Sequence, residues 1–257
     1  MALADAVPPS HATSWFPDEE GRRYELGRPG YPEAALEVLA DQLGLERGTT
    51  VVDVAAGTGK LTRMLTATGA EVIAVEPMPG MRAQLERHAP AAQIVAARAE
   101  SLPLASATAD AVTVAQAFHW FDVDRASHEL RRVLRPGGHL ALVNNKRHAP
   151  EEWHRELWSV LRRYEALAPR PASARNWRAA LDASGDFGTF DRFEVHNEQR
   201  FSSLDEFDAR FASISFVILL DEADRLALIR DLHAVVAGVD PLVVPLRTEI
   251  EVALRRG

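Results

Sequence analysis

The chain contains no cysteine. That removes disulfide frameworks, thiolate nucleophiles and cysteine-ligated metals from the options, and no metal is expected. It also lacks a surplus of positive charge: 29 Lys and Arg stand against 37 Asp and Glu, a formal net charge of −8. A surface that grips phosphate backbones regardless of sequence needs clustered cations, so no nucleic-acid partner is expected. No apolar run approaches the ~18 residues of a membrane-spanning helix, and no membrane partner is expected either. The opening stretch, MALADAVPPSHATSW, has neither a basic flank nor a long apolar run, so it is not a signal peptide and a cytoplasmic location is expected. What remains is 257 residues of ordinary composition, 47% hydrophobic and 26% charged, enough for a sizeable core.

What is present is a rhythm. TTVVDVA (49–55), AEVIAVEP (70–77), AQIVAARAE (92–100), ADAVTVAQAF (109–118) and HLALVNN (139–145) read as strands. Between them YPEAALEVLADQLGL (31–45), GKLTRMLTATG (59–69), PGMRAQLERHAP (79–90) and DRASHELRRVLRPGG (124–138) read as helices, the last closed by Pro-Gly-Gly. Strands that are apolar on both faces and alternate with helices predict an α/β fold with a parallel sheet covered on both sides. Residues 1–20 read as a loose arm and 21–32 as turn-rich. After residue 146 the rhythm breaks. Residues 150–182 read as helical, with Trp153, Leu157, Trp158, Leu161 and Tyr164 spaced as a core stripe. FDRFEVHNEQRFS (190–202) reads as a strand, 204–237 as one or two helices, and VVPLRTEIEVALRR (243–256) as a final strand. FASISFVILL (211–220) suits either a pocket wall or core.

Ligands of such sheets bind beyond the carboxyl ends of the strands. Asp53, Glu76, Glu100 and Gln116 fall there. In VVDVAAGTGK (51–60) a strand runs into a turn stripped of side chains, which something must approach closely. A nucleoside triphosphate does not fit. Val54 stands where a P-loop has its first Gly, and Leu61 where it has its hydroxyl, which leaves Lys60 as a solvated helix residue. A dinucleotide fits poorly, because Thr62 takes the place of the third Gly and Asp53 repels a pyrophosphate. The same carboxylate attracts an ammonium or sulfonium, the charges of S-adenosylmethionine.

VVDVAAGTG also resembles the first motif of the class I S-adenosylmethionine-dependent methyltransferases, hydrophobic-x-Asp-x-x-x-Gly-x-Gly, with Ala55 where many members have Gly. The likeness continues in order through Glu76 in AVEP, ARAESLPL (97–104) and LRRVLRPGGHLAL (130–142), and spans residues 24–145. It implies a Rossmann-like, doubly wound, mostly parallel seven-stranded sheet with a helical cover after the fifth strand. It implies S-adenosylmethionine as methyl donor and S-adenosylhomocysteine as product. Asp53, Ala55, Gly57 and Gly59 would form the donor loop, with Gln116 at the end of the fourth strand. Glu76, beside Pro77, would accept both ribose hydroxyls, and Ala99 and Glu100 would lie in the segment that cups the adenine. Arg98 stands where many relatives have Asp.

VAQAFHWFD (114–122) and the element Tyr24-x-x-x-Arg28-Pro29-x-Tyr31-Pro32 resemble a small-molecule subgroup that includes trans-aconitate-type methyltransferases. The resemblance thus implies a small-molecule acceptor, with Tyr24, Arg28, Tyr31, His119 and Trp120 as candidate contacts. The Asn-Pro-Pro-Tyr type motif of nucleic-acid amine methylation is absent. A displacement on carbon needs positioning more than acid or base groups. A hydroxyl or carbon acceptor also needs a base, for which His119 is the candidate, and a carboxylate needs none. Arg28, Arg147 and Arg175 are candidate clamps for an acidic acceptor. The implied layout is one methyltransferase domain over 1–257, monomeric or homodimeric. It has an arm and lid (1–32), a donor-binding core (33–145), an acceptor-binding cover (146–237) and the final strand (243–256). A donor-binding sensor or assembly protein without turnover would share the donor loop, and an NAD-dependent oxidoreductase would share the fold.

Overall fold

The computed structural model describes residues 18–167 and 177–257. Its strands are β1 (Thr50–Val54), β2 (Glu71–Val75), β3 (Gln93–Val95), β4 (Ala109–Ala115), β5 (Leu134–Arg147), β6 (Asp191–Arg200) and β7 (Val243–Leu254). They form one seven-stranded sheet in the order β3-β2-β1-β4-β5-β7-β6. β1 to β5 pair in parallel, and β7 runs antiparallel between β5 and β6. The helices are α1 (Asp18–Gly27), α2 (Glu33–Leu43), α3 (Thr62–Ala67), α4 (Pro79–His88), α5 (Val123–Val133), α6 (Glu152–Glu165), α7 (Trp177–Ser184), α8 (Leu204–Ala212), α9 (Ser215–Ile218) and α10 (Glu222–Val236).

Strand alternation sorts the side chains into two cores. Val52, Val54, Val112, Val114, Leu140 and Leu142 pack with Leu130 and Val133 of α5 and Leu181 of α7. Val51, Ala111, Ala141 and Val143 pack on the other face with Ala35 and Leu39 of α2 and Leu65 of α3. A third core lies away from the sheet centre. Leu157, Trp158 and Leu161 of α6 meet Phe207 and Phe211 of α8 and Leu228 and Leu232 of α10 there. The aromatic stripe of residues 153–164 is therefore packing, with Trp153 and Tyr164 at its margin. Phe211, Val217 and Leu220 of FASISFVILL are interior to the same cluster.

Several sequence expectations need correction. Residues 18–27 are helical rather than loose or turn-rich. No apolar stripe marks α1; it packs against α4 and α8, and the Asp18 carboxylate accepts from Gln84 Nε2 at 2.6 Å. The helix expected to close at Gly138 ends at Val133, and residues 134–138 already belong to β5. Leu134 pairs with Ala109, and Arg135 is ion-paired to Asp110, which draws this stretch into the sheet. The third strand stops at Val95, so Ala99 and Glu100 lie on the loop beyond it. Residues 204–237 hold three helices, broken at Ser213–Ile214 and at Leu219–Asp221. Arg175 lies outside the described residues.

The chain leaves β3 on one side of β1 and re-enters the sheet as β4 on the other. This reversal opens a crevice above the ends of β1 and β4, the usual ligand position in such a sheet.

Candidate functional site

A cleft lies in that crevice. Its floor is Ala55, Ala56, Gly57 and Thr58 after β1, with Ala115 and Gln116 at the end of β4. Asn145 of β5 forms one side. Tyr24 and Arg28, with Pro29 and Tyr31 of the segment that follows α1, close it from above, and Arg210 reaches it from α8. The cleft thus brings together Ala55, Gly57, Gln116, Tyr24, Arg28 and Tyr31 from the sequence expectations. Glu76, Pro77, Ala99 and Glu100 lie along the same rim, at the ends of β2 and β3, beyond this lining.

Two residues with side chains hold left-handed backbone at the floor: Ala55 at φ 56° and Gln116 at φ 58°. They end adjacent strands and turn the chain aside so that the crevice stays open. Such a conformation costs roughly 1–2 kcal/mol for a residue with a Cβ, and strain of this kind concentrates at functional sites. Ala55→Gly is therefore expected to stabilise the fold by up to about 1 kcal/mol, which raises Tm by ~2–4 °C in a chain of this size. Differential scanning calorimetry checks it; an unchanged or lower Tm removes the strain argument.

The two loop glycines do different work. A Cβ on Gly57 (φ 61°) would point into open space, so this position leaves bare backbone facing the cleft. A Cβ on Gly59 would stand 2.7 Å from Leu85 Cδ1, so its missing side chain serves the packing of α4. Glu76 ties the loop to the end of β2. Its Oε2 accepts from Gly57 N at 2.8 Å and its Oε1 from Met78 N at 2.9 Å. Burial nonetheless raises its pKa to about 7.

Asp53 is not the open carboxylate at the loop mouth that its position in the sequence suggested. It is fully buried inside β1. Thr62 Oγ1 donates to Oδ2 at 2.6 Å and Thr113 Oγ1 to Oδ1 at 2.8 Å. Burial lifts its pKa to about 6 despite those two bonds. It joins β1, β4 and α3 beneath the loop. Lys60 is likewise no solvated residue. It lines the cleft and donates to the Glu25 carbonyl at 2.8 Å, and its ammonium lies 3.3 Å from the Glu25 carboxylate. The same carboxylate accepts from Thr58 and Arg63, so α1 is clasped directly onto the glycine loop.

His119 sits on the 3-10 turn Phe118–Trp120 after β4, beside the Trp120 ring, and neither residue lines the cleft. Trp120, a candidate acceptor contact in the sequence, is 37% exposed. Burial, with the charges of Arg28 and Lys146, pushes the His119 pKa down to about 4. The imidazole is therefore neutral at physiological pH, not half-protonated near 6.5. Arg147 stacks over Trp158 at 5.3 Å and lies 3.7 Å from Glu165. Glu100 accepts from Asp122 N at 3.0 Å, and the exposed Arg98 lies 3.4 Å from it.

Sequence reasoning missed Glu25, Asn145 and Arg210. Asn145 Nδ2 donates to Gly30 O, and Asn197 Nδ2 donates to both Gly30 O and Asn145 Oδ1, each at 3.0 Å. This network fixes the segment after α1 to the edge of the cleft. Among the described residues, no helix is long and apolar enough to cross a membrane. No group of three His, Asp or Glu among them is placed to hold a metal.

A methyltransferase-domain family model matches residues 52–142. An uncharacterized methyltransferase of Mycobacterium tuberculosis is 44% identical over 140 residues, 54% of this chain and 56% of that protein. The match thus spans little more than half of that relative's length. An uncharacterized methyltransferase-like protein of Schizosaccharomyces pombe is 32% identical over 204 residues, 79% of this chain and 78% of that protein. Among solved structures, a candidate type II methyltransferase of Anaeromyxobacter dehalogenans is 27% identical with a TM-score of 0.66. That match covers 89% of this chain and 97% of the other.

Proposed function

The chain belongs to the class I S-adenosylmethionine-dependent methyltransferases, and from that premise we propose that its cleft transfers a methyl group from S-adenosylmethionine to a small-molecule acceptor. One observation carries the reading. The bare backbone of Gly57 faces the cleft while Glu76, hydrogen-bonded to that same residue, stands at the end of the next strand. The donor supplies a methyl carbon made electrophilic by a sulfonium. Glu76 takes the ribose hydroxyls, Pro77, Ala99 and Glu100 flank the adenine, and Ala55, Gly57 and Gln116 border the methionine end. Asp53 holds the turn through Thr62 rather than touching the ligand.

A displacement on carbon is accelerated mainly by orientation and by exclusion of water. α1, clasped through Glu25, supplies the lid, and the helical unit of α6 and α8–α10 supplies the cover. A cleft roofed by residues from both favours turnover over a sensor that merely binds the donor. Labelled methyl transfer to a panel of small carboxylic acids and phenols tests the reading. Incorporation into one class supports it; donor binding with no transfer to any acceptor supports the sensor.

A histidine whose pKa is pushed down to about 4 is ready to accept a proton but only weakly basic. His119 also lies outside the cleft lining, which makes it a poor general base. His119→Gln is expected to keep turnover within about tenfold of the parent, well short of the 10²–10⁴-fold loss of a general base. Steady-state kinetics against the acceptor found in the panel check this. A loss beyond a hundredfold with donor affinity intact would restore the base.

A further inference from the structure

Arg210 has no counterpart among the residues singled out by the sequence. It projects from α8 into the cleft roof and is only 9% exposed. Its Nη1 is buried and has no hydrogen-bond partner. Arg28 lines the same cleft from just past the end of α1. One of its terminal nitrogens donates to Ser213 O at 2.7 Å, and its Nε is also buried without a partner. Arg28 stacks over Tyr24 at 5.1 Å, and Arg210 over Phe211 at 5.6 Å, so both guanidinium planes are braced by aromatic rings. Among the described residues neither arginine has a carboxylate within ion-pair distance. Glu25, the acid nearest Arg28 in sequence, is engaged by Thr58, Lys60 and Arg63, and Asp208, the acid nearest Arg210, lies against His233.

Two like charges held close together and out of water destabilise a fold unless something compensates them. Burial and the neighbouring Arg28 draw the Arg210 pKa down to about 9, the sign of an uncompensated site. Buried polar groups in proteins are normally paired. Two guanidiniums that each keep one buried nitrogen unpaired, braced by aromatics and lining one cleft, suit a planar anion.

We propose that Arg210 and Arg28 form a carboxylate clamp, and that the carboxylate it seats belongs to the methyl acceptor. The second half rests on the methyltransferase reading. The donor carries a carboxylate of its own, so the same chemistry has two sources that must be told apart.

The test uses the full chain and four variants of ligand: S-adenosylhomocysteine, 5′-methylthioadenosine (which lacks the amino-acid carboxylate), glutarate, and the neutral glutaramide. Calorimetry is run on the parent, Arg210→Met and Arg210→Lys. The parent, saturated with S-adenosylhomocysteine, should bind glutarate and not glutaramide. Arg210→Met should weaken glutarate at least tenfold and leave S-adenosylhomocysteine unchanged; Arg210→Lys, a charge without the fork, should fall between. Weakening of S-adenosylhomocysteine alone, with 5′-methylthioadenosine unaffected, would keep the clamp and overturn its assignment to the acceptor. Arg210→Met with every affinity unchanged would overturn the clamp. So would a parallel loss for all ligands together with a lower Tm, the mark of a structural arginine. Removal of an uncompensated buried charge should leave Tm unchanged or raise it. A parent that binds neither adenosine compound would refute the donor site instead, and glutarate binding lost in Arg210→Met would still report the clamp.

Discussion

Gly57→Val is expected to abolish measurable binding of S-adenosylhomocysteine, a loss of more than ~100-fold, in a chain that still folds. The new isopropyl group would project into the open side of the loop, where the ligand has to lie against backbone. It would also force a β-branched residue to φ 61°, at a strain of roughly 1–2 kcal/mol or more. Strain and obstruction can be separated inside the same molecule. Gly44 caps α2 at φ 62°, and a Cβ there would likewise meet nothing. Gly44→Val should therefore lose similar stability and keep full affinity. If Gly57→Val binds normally, the loop is only a turn. If both variants lose affinity equally, backbone strain rather than contact explains the effect.

Glu76→Ala is expected to weaken donor and product binding by ten- to a hundredfold. Two hydroxyls donating to an ionised carboxylate are each worth ~1.5–3 kcal/mol before desolvation. The variant also strands the Gly57 and Met78 N–H groups, so some stability should go with it. A 2′-deoxy analogue of S-adenosylhomocysteine isolates the ribose contribution. It should bind the parent less tightly than the natural compound, and the Glu76→Ala chain equally well. No difference in the parent would remove the ribose assignment. The pH dependence has a definite sign. With its pKa near 7, Glu76 must lose a proton to accept both hydroxyls. Affinity should be flat above pH 7 and fall about tenfold per unit below it. The free fold responds the opposite way through these groups. Asp53 and Glu76 both hold protons more tightly folded than unfolded. Their contribution to stability is therefore fully present below the unfolded values near ~4 and lost as pH rises through ~6–7. The Tm increment produced by S-adenosylhomocysteine should accordingly grow with pH.

The sheet was legible because its signal is local: β-branched runs apolar on both faces, separated by amphipathic helices. The donor loop was legible because a turn without side chains is conspicuous beside VVDV. What escaped was decided by tertiary contacts. α1 carries almost no apolar residues, and its helix exists because α4 and α8 flank it and Glu25 reaches the loop. Asp53 looked exposed because it precedes the loop, yet a central strand buries both faces. The hydroxyls that satisfy it come from Thr62 and Thr113, whose approach no spacing rule reveals. Arg210 lies among Asp205, Glu206 and Asp208 and reads as one more surface charge. Only the packing of α8 beneath α1 shows that it faces the cleft without a counter-ion.

The central claim is that the crevice over β1 and β4 receives S-adenosylmethionine. Titration calorimetry of S-adenosylhomocysteine into the intact chain at pH 8, with NADH titrated separately, tests it most directly. The account expects one S-adenosylhomocysteine per chain with a Kd on the order of micromolar, near −8 kcal/mol, and no saturable binding of NADH. Saturable NADH binding with no heat from S-adenosylhomocysteine would contradict it.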